Sequence, residues 1–138
     1  MPTTTDLTLR PVDSESDWEH ARTIRKRVFI DEQDCPPEEE WDGHDETSRH
    51  VLGFVDGTPV ATARWRAVPH GEAIVAKLER FAVLPDERGE GHGTALVRFV
   101  MDDARQAGFD TLLIHAQTHL EDWLDVRIGF RSRRRKES

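Results

Sequence analysis

Apolar and polar positions along the chain alternate in short stretches, broken by longer runs with a helical repeat. Asp6 to Arg10 alternates like a first strand and ends at Pro11. Trp18, Ala21, Ile24, Arg25, Val28 and Phe29 recur at about 3.6-residue spacing behind the capping residues Asp13, Ser14 or Ser16, which predicts a helix to about Ile30. Asp34 to Thr47 is acidic, holds two prolines and a glycine, and reads as a loop. Arg49 to Val55 and Val60 to Val68 form a predicted antiparallel pair around Asp56-Gly57-Thr58, and Ala73 to Leu84 adds a third strand after His70-Gly71. Leu96, Val97, Val100, Met101, Ala104 and Ala107 mark one face of a second helix, which Gly108 stops and against which Phe109 folds back. Thr111 to His115 is a compact strand, and strand-helix-strand order makes it parallel to the strand ending at Leu84. A last helix is expected over about Leu120 to Ile128, followed by Gly129-Phe130 and a charged tail. The pattern predicts an α/β (α+β) fold with a mixed central sheet flanked by helices.

Length and charge narrow the classes. At 138 residues the chain is one domain, expected over 1–130, with a charged tail over 131–138. The net charge is −8, and without residues 131–138 it falls to −12, which disfavours a nucleic-acid partner. Only three of the 19 basic residues are lysine and acidic residues crowd Asp31 to Asp45, a pattern associated with salt-adapted proteins. No apolar run approaches the roughly 20 residues of a membrane span, so a soluble, cytoplasmic protein is expected. Cys35 is the sole cysteine, which excludes an internal disulfide and a cysteine-based metal cluster.

The candidate chemistry centres on Arg88-Gly89-Glu90-Gly91-His92-Gly93-Thr94, between a strand and a helix. Three alternate glycines let successive backbone N–H groups converge, and the helix that follows turns its positive end to the same point, which suits a phosphate or pyrophosphate. The dinucleotide fingerprint fails, because its last glycine would fall on Thr94 or Leu96, and a P-loop fails for want of its lysine. The letters fit R-x-x-G-x-G through Arg88, Gly91 and Gly93.

That pattern resembles the coenzyme A pyrophosphate loop of the GNAT acyltransferases. Leu78-Glu79-Arg80-Phe81-Ala82-Val83-Leu84-Pro85 is similar to their central strand, with its closing Val-x-Pro. Arg25-Lys26-Arg27-Val28-Phe29-Ile30-Asp31-Glu32-Gln33 and His115-Ala116-Gln117-Thr118-His119 resemble the ElaA-like subgroup, so the likeness spans roughly Ile24 to Phe130. It implies a GNAT fold whose two parallel strands splay apart to admit the thioester end of acetyl coenzyme A. It also implies that backbone groups of Phe81, Ala82 and Val83 pair with the pantetheine arm. Amides from Gly89 through Glu90, Gly91, His92 and Gly93 to Thr94 would hold the pyrophosphate, with a charge-assisted contact from Arg88. A polar contact from His119 to the pantetheine completes the coenzyme half.

The resemblance points to an N-acetyltransferase that moves an acetyl group to a primary amine, on a small molecule or a protein, within a ternary complex. For the base it leaves two residues: Glu79 on the central strand, and His115 at the end of the next, which is preferred because imidazole titrates near neutral pH. Arg25, Glu32 and Gln33 would form part of the acceptor pocket, and an acidic rim over Asp31 to Asp45 would draw a cationic amine. His115 and His119 do not share a helix, so no metal is expected. Two departures stand out: the chain has no tyrosine to protonate a leaving thiolate, and residues 131–138 are too short and charged to supply the final strands of the family. An incomplete sheet would leave an edge for a second copy to cover, hence an expected homodimer. A non-catalytic acyl coenzyme A binding module or a scaffold protein is the alternative.

Overall fold

The computed structural model describes residues 7–118 and 122–129, apart from the side chains of 115–118 and 122–129. His119 and the tail 131–138, singled out above, lie outside the described residues. The elements run β1 (Leu7–Pro11), α1 (Glu15–Arg25), a π-helical continuation (Lys26–Glu32), α2 (Pro37–Glu40), a 3₁₀ turn (Asp45–Thr47), β2 (Arg49–Val55), β3 (Thr58–His70), β4 (Ala73–Val83), a 3₁₀ turn (Pro85–Glu87), α3 (His92–Gln106), β5 (Thr111–Thr118) and β6 (Asp122–Gly129). The strands form one sheet in sequence order. Only the β4–β5 pair is parallel, so the sheet is mixed as the connectivity predicted.

The helices start and stop where the local chemistry directs. Ser14 caps α1 by accepting from Asp17 N–H at 3.0 Å, and the Asp17 carboxylate binds Arg10, tying the helix entry to β1. The helical segment ends at Glu32, close to the expected Ile30, but from Lys26 to Glu32 it widens into π-helical turns, a form that recurs at functional sites. At the other end of the chain Gly108, at φ +106°, closes α3, and Phe109 folds back onto Trp65 with ring centroids 5.4 Å apart.

The two faces of the sheet have different partners. Val51, Ala61, Ala63, Trp65, Ala76, Leu78, Leu112 and Ile114 pack with Leu96, Val100 and Ala104 of α3. On the opposite face Leu52 and Ala82 pack with Ala21, Ile24, Val28 and Phe29 of α1 and its continuation. Each helix stripe thus meets the strand positions of matching parity.

The expected helix over about Leu120 to Ile128 is a correction: residues 122–129 are β6, antiparallel to β5 from Thr111↔Gly129 to Thr118↔Asp122. Leu124, Val126 and Ile128 alternate with Asp125 and Arg127, a period of two that a strand accommodates, and Val126 and Ile128 are β-branched. Among the described residues the sheet therefore runs on to β6 rather than stopping at β5.

Gly53 marks a tight point of the sheet, where β2 shifts register against β3. A Cβ there would lie 3.0 Å from Leu9 Cδ2, 3.1 Å from Leu7 Cδ1 and 3.3 Å from Ala61 Cβ. Gly53→Val is expected to destabilise the fold by about 1–3 kcal/mol, read as a lower urea midpoint; an unchanged midpoint would contradict this packing.

Candidate active site

β4 and β5 pair over three positions only, Ala76↔Leu112, Lys77↔Leu113 and Leu78↔Ile114. Beyond Leu78 they part, and a bulge supplies the reason. Arg64 pairs with Glu79, yet Thr62 pairs with Ala82, so Ala63 alone faces both Arg80 and Phe81. Arg80 takes up the extra length at φ +59°, a left-handed conformation costing roughly 1 kcal/mol for a residue with a Cβ. Its guanidinium is held from outside the sheet, 3.2 Å from Glu40 Oε1, 3.1 Å from Asp42 Oδ2 and 3.2 Å from the Glu39 carbonyl. Ala82 and Val83 still pair with β3, so the other backbone edge of Phe81 to Val83 faces the gap.

The glycine loop leaves the same end of β4. Gly89 and Gly91 have φ of +86° and +84°, where an L side chain is strained, and Gly91 begins α3 with no side-chain cap. Gly93 differs in lacking a left-handed φ, and, as at Gly89 and Gly91, a Cβ there would meet nothing within 4 Å, so neither backbone conformation nor packing among the described residues calls for glycine. Glu90 and Thr94 are exposed, while His92 is buried with Nε2 unbonded, 4.0 Å from Glu87. Arg88 donates from Nε to the Val83 carbonyl at 2.9 Å and from both Nη atoms to Glu32 at 2.8 and 2.7 Å. It therefore clasps the end of β4 to the end of the π-helix, and its hydrogen bonds lower the Glu32 pKa against the opposing effect of burial. Gln33 closes the π-helix by donating its N–H to the Ile30 carbonyl. Two residues assigned to different substrates, Arg88 and Glu32, are thus partners of each other.

On the α1 face a buried ion cluster lies beside the gap. Arg64, with 0% of its side chain exposed, binds Glu79 at 2.6 Å, Asp42 at 2.7 Å and Asp45 at 2.8 Å. Arg25 binds Glu40 at 2.6 Å and Asp45 at 2.7 Å. Burial acts to raise the Glu79 pKa, but the Arg64 charge and hydrogen bonds from Arg66 and Arg64 outweigh it and hold it at about 2. Glu40 goes the other way: burial raises its pKa more than Arg25 and Arg80 lower it. Asp42 and Asp45 are held low by their arginines in spite of burial.

Three expectations change here. Glu79 is 4% exposed, committed to cations, and too weak a base to take a proton near neutral pH. Arg25 is 1% exposed and spent on Glu40 and Asp45, beyond reach of an acceptor. The acidic rim is partly turned inward, because Glu40, Asp42 and Asp45 neutralise buried arginines while Glu38, Glu39 and Glu46 stay at the surface. Sequence reading passed over Arg64, Arg66, Lys77 and Arg80. The signal was parity: Arg64 and Arg66 alternate on one strand, Lys77 and Glu79 on the next, so one antiparallel pairing puts all four on one face. His115 pairs with Asp125 in β6 and stands one residue past the last β4–β5 pair.

A cleft of about 750 Å³ opens elsewhere, between Trp18, Trp41 and His50, and no residue of β4, β5 or the glycine loop lines it. Cys35 is half-buried, and burial pushes its thiol pKa up, away from reactivity. Among the described residues no His, Cys, Asp and Glu side chains form a group of three or more that could hold a metal ion. Nor is any helix among them long and apolar enough to cross a membrane.

The fold has counterparts among known proteins. Residues 16–123 match the Acetyltransferase (GNAT) family. The chain belongs to the GNAT family. Among the relatives of this GNAT protein is the Bacillus subtilis (strain 168) uncharacterized N-acetyltransferase YjcF, 31% identical over 105 residues, which cover 76% of this chain and 72% of that one. The crystal structure of Escherichia coli ElaA superimposes with TM-score 0.68 at 27% identity, over 86% of this chain and 82% of that one. A Brucella melitensis GNAT acetyltransferase, solved in complex with acetyl-CoA, shares the fold with TM-score 0.70 at 20% identity, over 84% and 79% of the two chains.

The ion cluster of this GNAT protein sets its acid lability. Glu79 has a pKa of about 2 in the fold against an ordinary 4.5, so its ionisation stabilises the protein above pH 4.5, and that contribution is lost as pH falls toward 2. Glu40, shifted upward, works in the opposite sense. Urea unfolding at stepped pH is expected to show a steep loss of stability between those values. Glu79→Gln should flatten the slope while lowering stability at pH 7; an unaltered slope would mean that Glu79 is not held ionised.

Proposed function

We propose that this protein is an N-acetyltransferase that takes acetyl groups from acetyl coenzyme A and passes them to a primary amine by direct attack in a ternary complex. The observation that carries this reading is the coincidence, at one end of β4, of a backbone edge left unpaired among the described residues and a helix start with no side-chain cap at left-handed glycines. Free main-chain N–H groups and a helix N-terminus suit a diphosphate, and an unpaired strand edge suits an arm bearing amide groups. Gly93 supplies the test of fit, since the open space over its Cα is room for a phosphate to approach the backbone.

In this reading Phe81 to Val83 orient the arm, the amides from Gly89 to Thr94 hold the diphosphate, and Arg88 fixes the loop through Val83 and Glu32. Bound acetyl coenzyme A supplies the acetyl thioester. His115, beside the point where the strands part, takes the proton from the amine as its nitrogen bonds to the acetyl carbon and the carbon–sulfur bond breaks. The ion pairs that hold Glu79 ionised favour His115 over it in this role. The chain has no tyrosine, so no phenol protonates the thiolate.

Gly93→Ala separates ligand binding from folding. Its stability without ligand is expected to stay within about 1 kcal/mol of the parent, while calorimetric affinity for acetyl coenzyme A falls at least about tenfold. Equal affinity would place the diphosphate elsewhere. For the chemistry, His115→Ala is expected to lower kcat for amine-dependent thiol release by roughly 10²–10⁴ with coenzyme affinity retained. Coenzyme binding with no thiol release from any amine, in the unaltered protein, would instead identify a non-catalytic acyl coenzyme A binding module.

A further inference from the structure

Resting on the acetyl-transfer reading, we propose that Arg66 and Lys77 form an oxyanion subsite beside the gap, so that the amine acetylated by this protein also carries a carboxylate or a phosphate. The ion pairs of the cluster are unevenly shared. Four carboxylates, Glu40, Asp42, Asp45 and Glu79, face five cations, Arg25, Arg64, Arg66, Lys77 and Arg80. The inner arginines are amply balanced, Arg64 by three carboxylates and Arg25 by two. Arg66 and Lys77 are not. Among the described residues their one carboxylate is Glu79, which each shares with Arg64.

The manner of that sharing leaves donors to spare. Arg66 reaches Glu79 through Nε alone, at 2.9 Å, so the hydrogen bonds it makes leave its Nη groups for another oxyanion. Lys77 Nζ lies 3.5 Å from Glu79 Oε1, beyond a strong hydrogen bond. Both are reachable from solvent, at 18% and 34% side-chain exposure, whereas Arg64 is at 0%. In a protein of net charge −8 this local excess of positive charge is an exception.

Its position ties it to the acceptor. Arg66 and Lys77 are direct cross-strand partners, and Lys77 comes one residue before the last β4–β5 pair. Their face of the sheet is opposite to the α3 core formed with Ala76 and Leu78, whereas the glycine loop leads into α3. The coenzyme and the acceptor thus come from opposite faces, and an acceptor resting on the Arg66–Lys77 side holds its amine within a few residues' rise of the gap, about 3.3 Å each. The inward turn of Glu40, Asp42 and Asp45 removes much of the basis for attracting a polycation there.

The test is amine-dependent release of free thiol from acetyl coenzyme A by the full chain, with matched acceptors. β-Alanine is compared with ethylamine, lysine with cadaverine, and phosphoethanolamine with ethanolamine. The oxyanion-bearing member of at least one pair is expected to show kcat/KM about tenfold higher or more, and the pair that does so separates carboxylate from phosphate. Lys77→Met and Arg66→Gln should bring that ratio close to one, mainly through KM. Plain amines equal to or better than their partners, or a ratio that survives both substitutions, would overturn the subsite. A second readout needs no turnover: the Arg66 and Lys77 side-chain NMR signals are titrated with acetate and with inorganic phosphate. Saturable shifts in the parent that Lys77→Met weakens support the subsite even if no amine is acetylated, in which case it is the transfer reading that fails. No shift up to about 50 mM overturns the subsite.

Discussion

The arrangement of this molecule turns on Arg80, a residue with a Cβ held in a left-handed backbone conformation within a strand. Glu40 at the end of α2 and Asp42 just after it hold its guanidinium, and Glu40 is itself held by Arg25. Because Arg80 absorbs an extra residue, β4 bends away from β5 after three parallel pairs, and a strand edge that would have been consumed in the sheet is left open. The strained residue and the open edge are thus one feature, kept in place by charges some forty positions earlier in the chain.

Burying that many charges is expensive unless each meets a partner, and the cluster answers this by sharing carboxylates among arginines. Arg64 gains from the arrangement: burial disfavours its charge, yet the hydrogen bonds it donates to Asp42 and the charge of Glu79 raise its pKa. The same sharing keeps Glu79 ionised at neutral pH and makes it a poor proton acceptor there. It also grades the cluster from a neutral interior to a positive edge at Arg66 and Lys77. A fold-stabilising device and a surface that discriminates between acceptors can therefore arise from the same ion pairs.

Much of this was legible in the letters, and the failures have physical causes. The hairpins, the second helix with its Gly108 stop, and the parallel strand after it follow from period and turn chemistry, which are local. The family could be read because its glycine loop is a contiguous backbone device. The last element was misjudged because Asp122 to Gly129 contains apolar residues that satisfy either period, and pairing with β5 decided for a strand. The partners of Arg25, Glu32 and Glu79 could not be read for a different reason. Partners such as Arg25 and Glu40, or Arg88 and Glu32, lie 15 and 56 positions apart, and only the fold brings them together. Acidic residues in a loop look alike in sequence whether they face water or an arginine beneath them.

The most direct measurement is amide hydrogen exchange, residue by residue, with and without saturating acetyl coenzyme A. The account predicts new protection concentrated at Phe81 to Val83 and Gly89 to Thr94, the open edge and the glycine loop. Protection absent from both segments, or centred instead on the cleft between Trp18, Trp41 and His50, would contradict it.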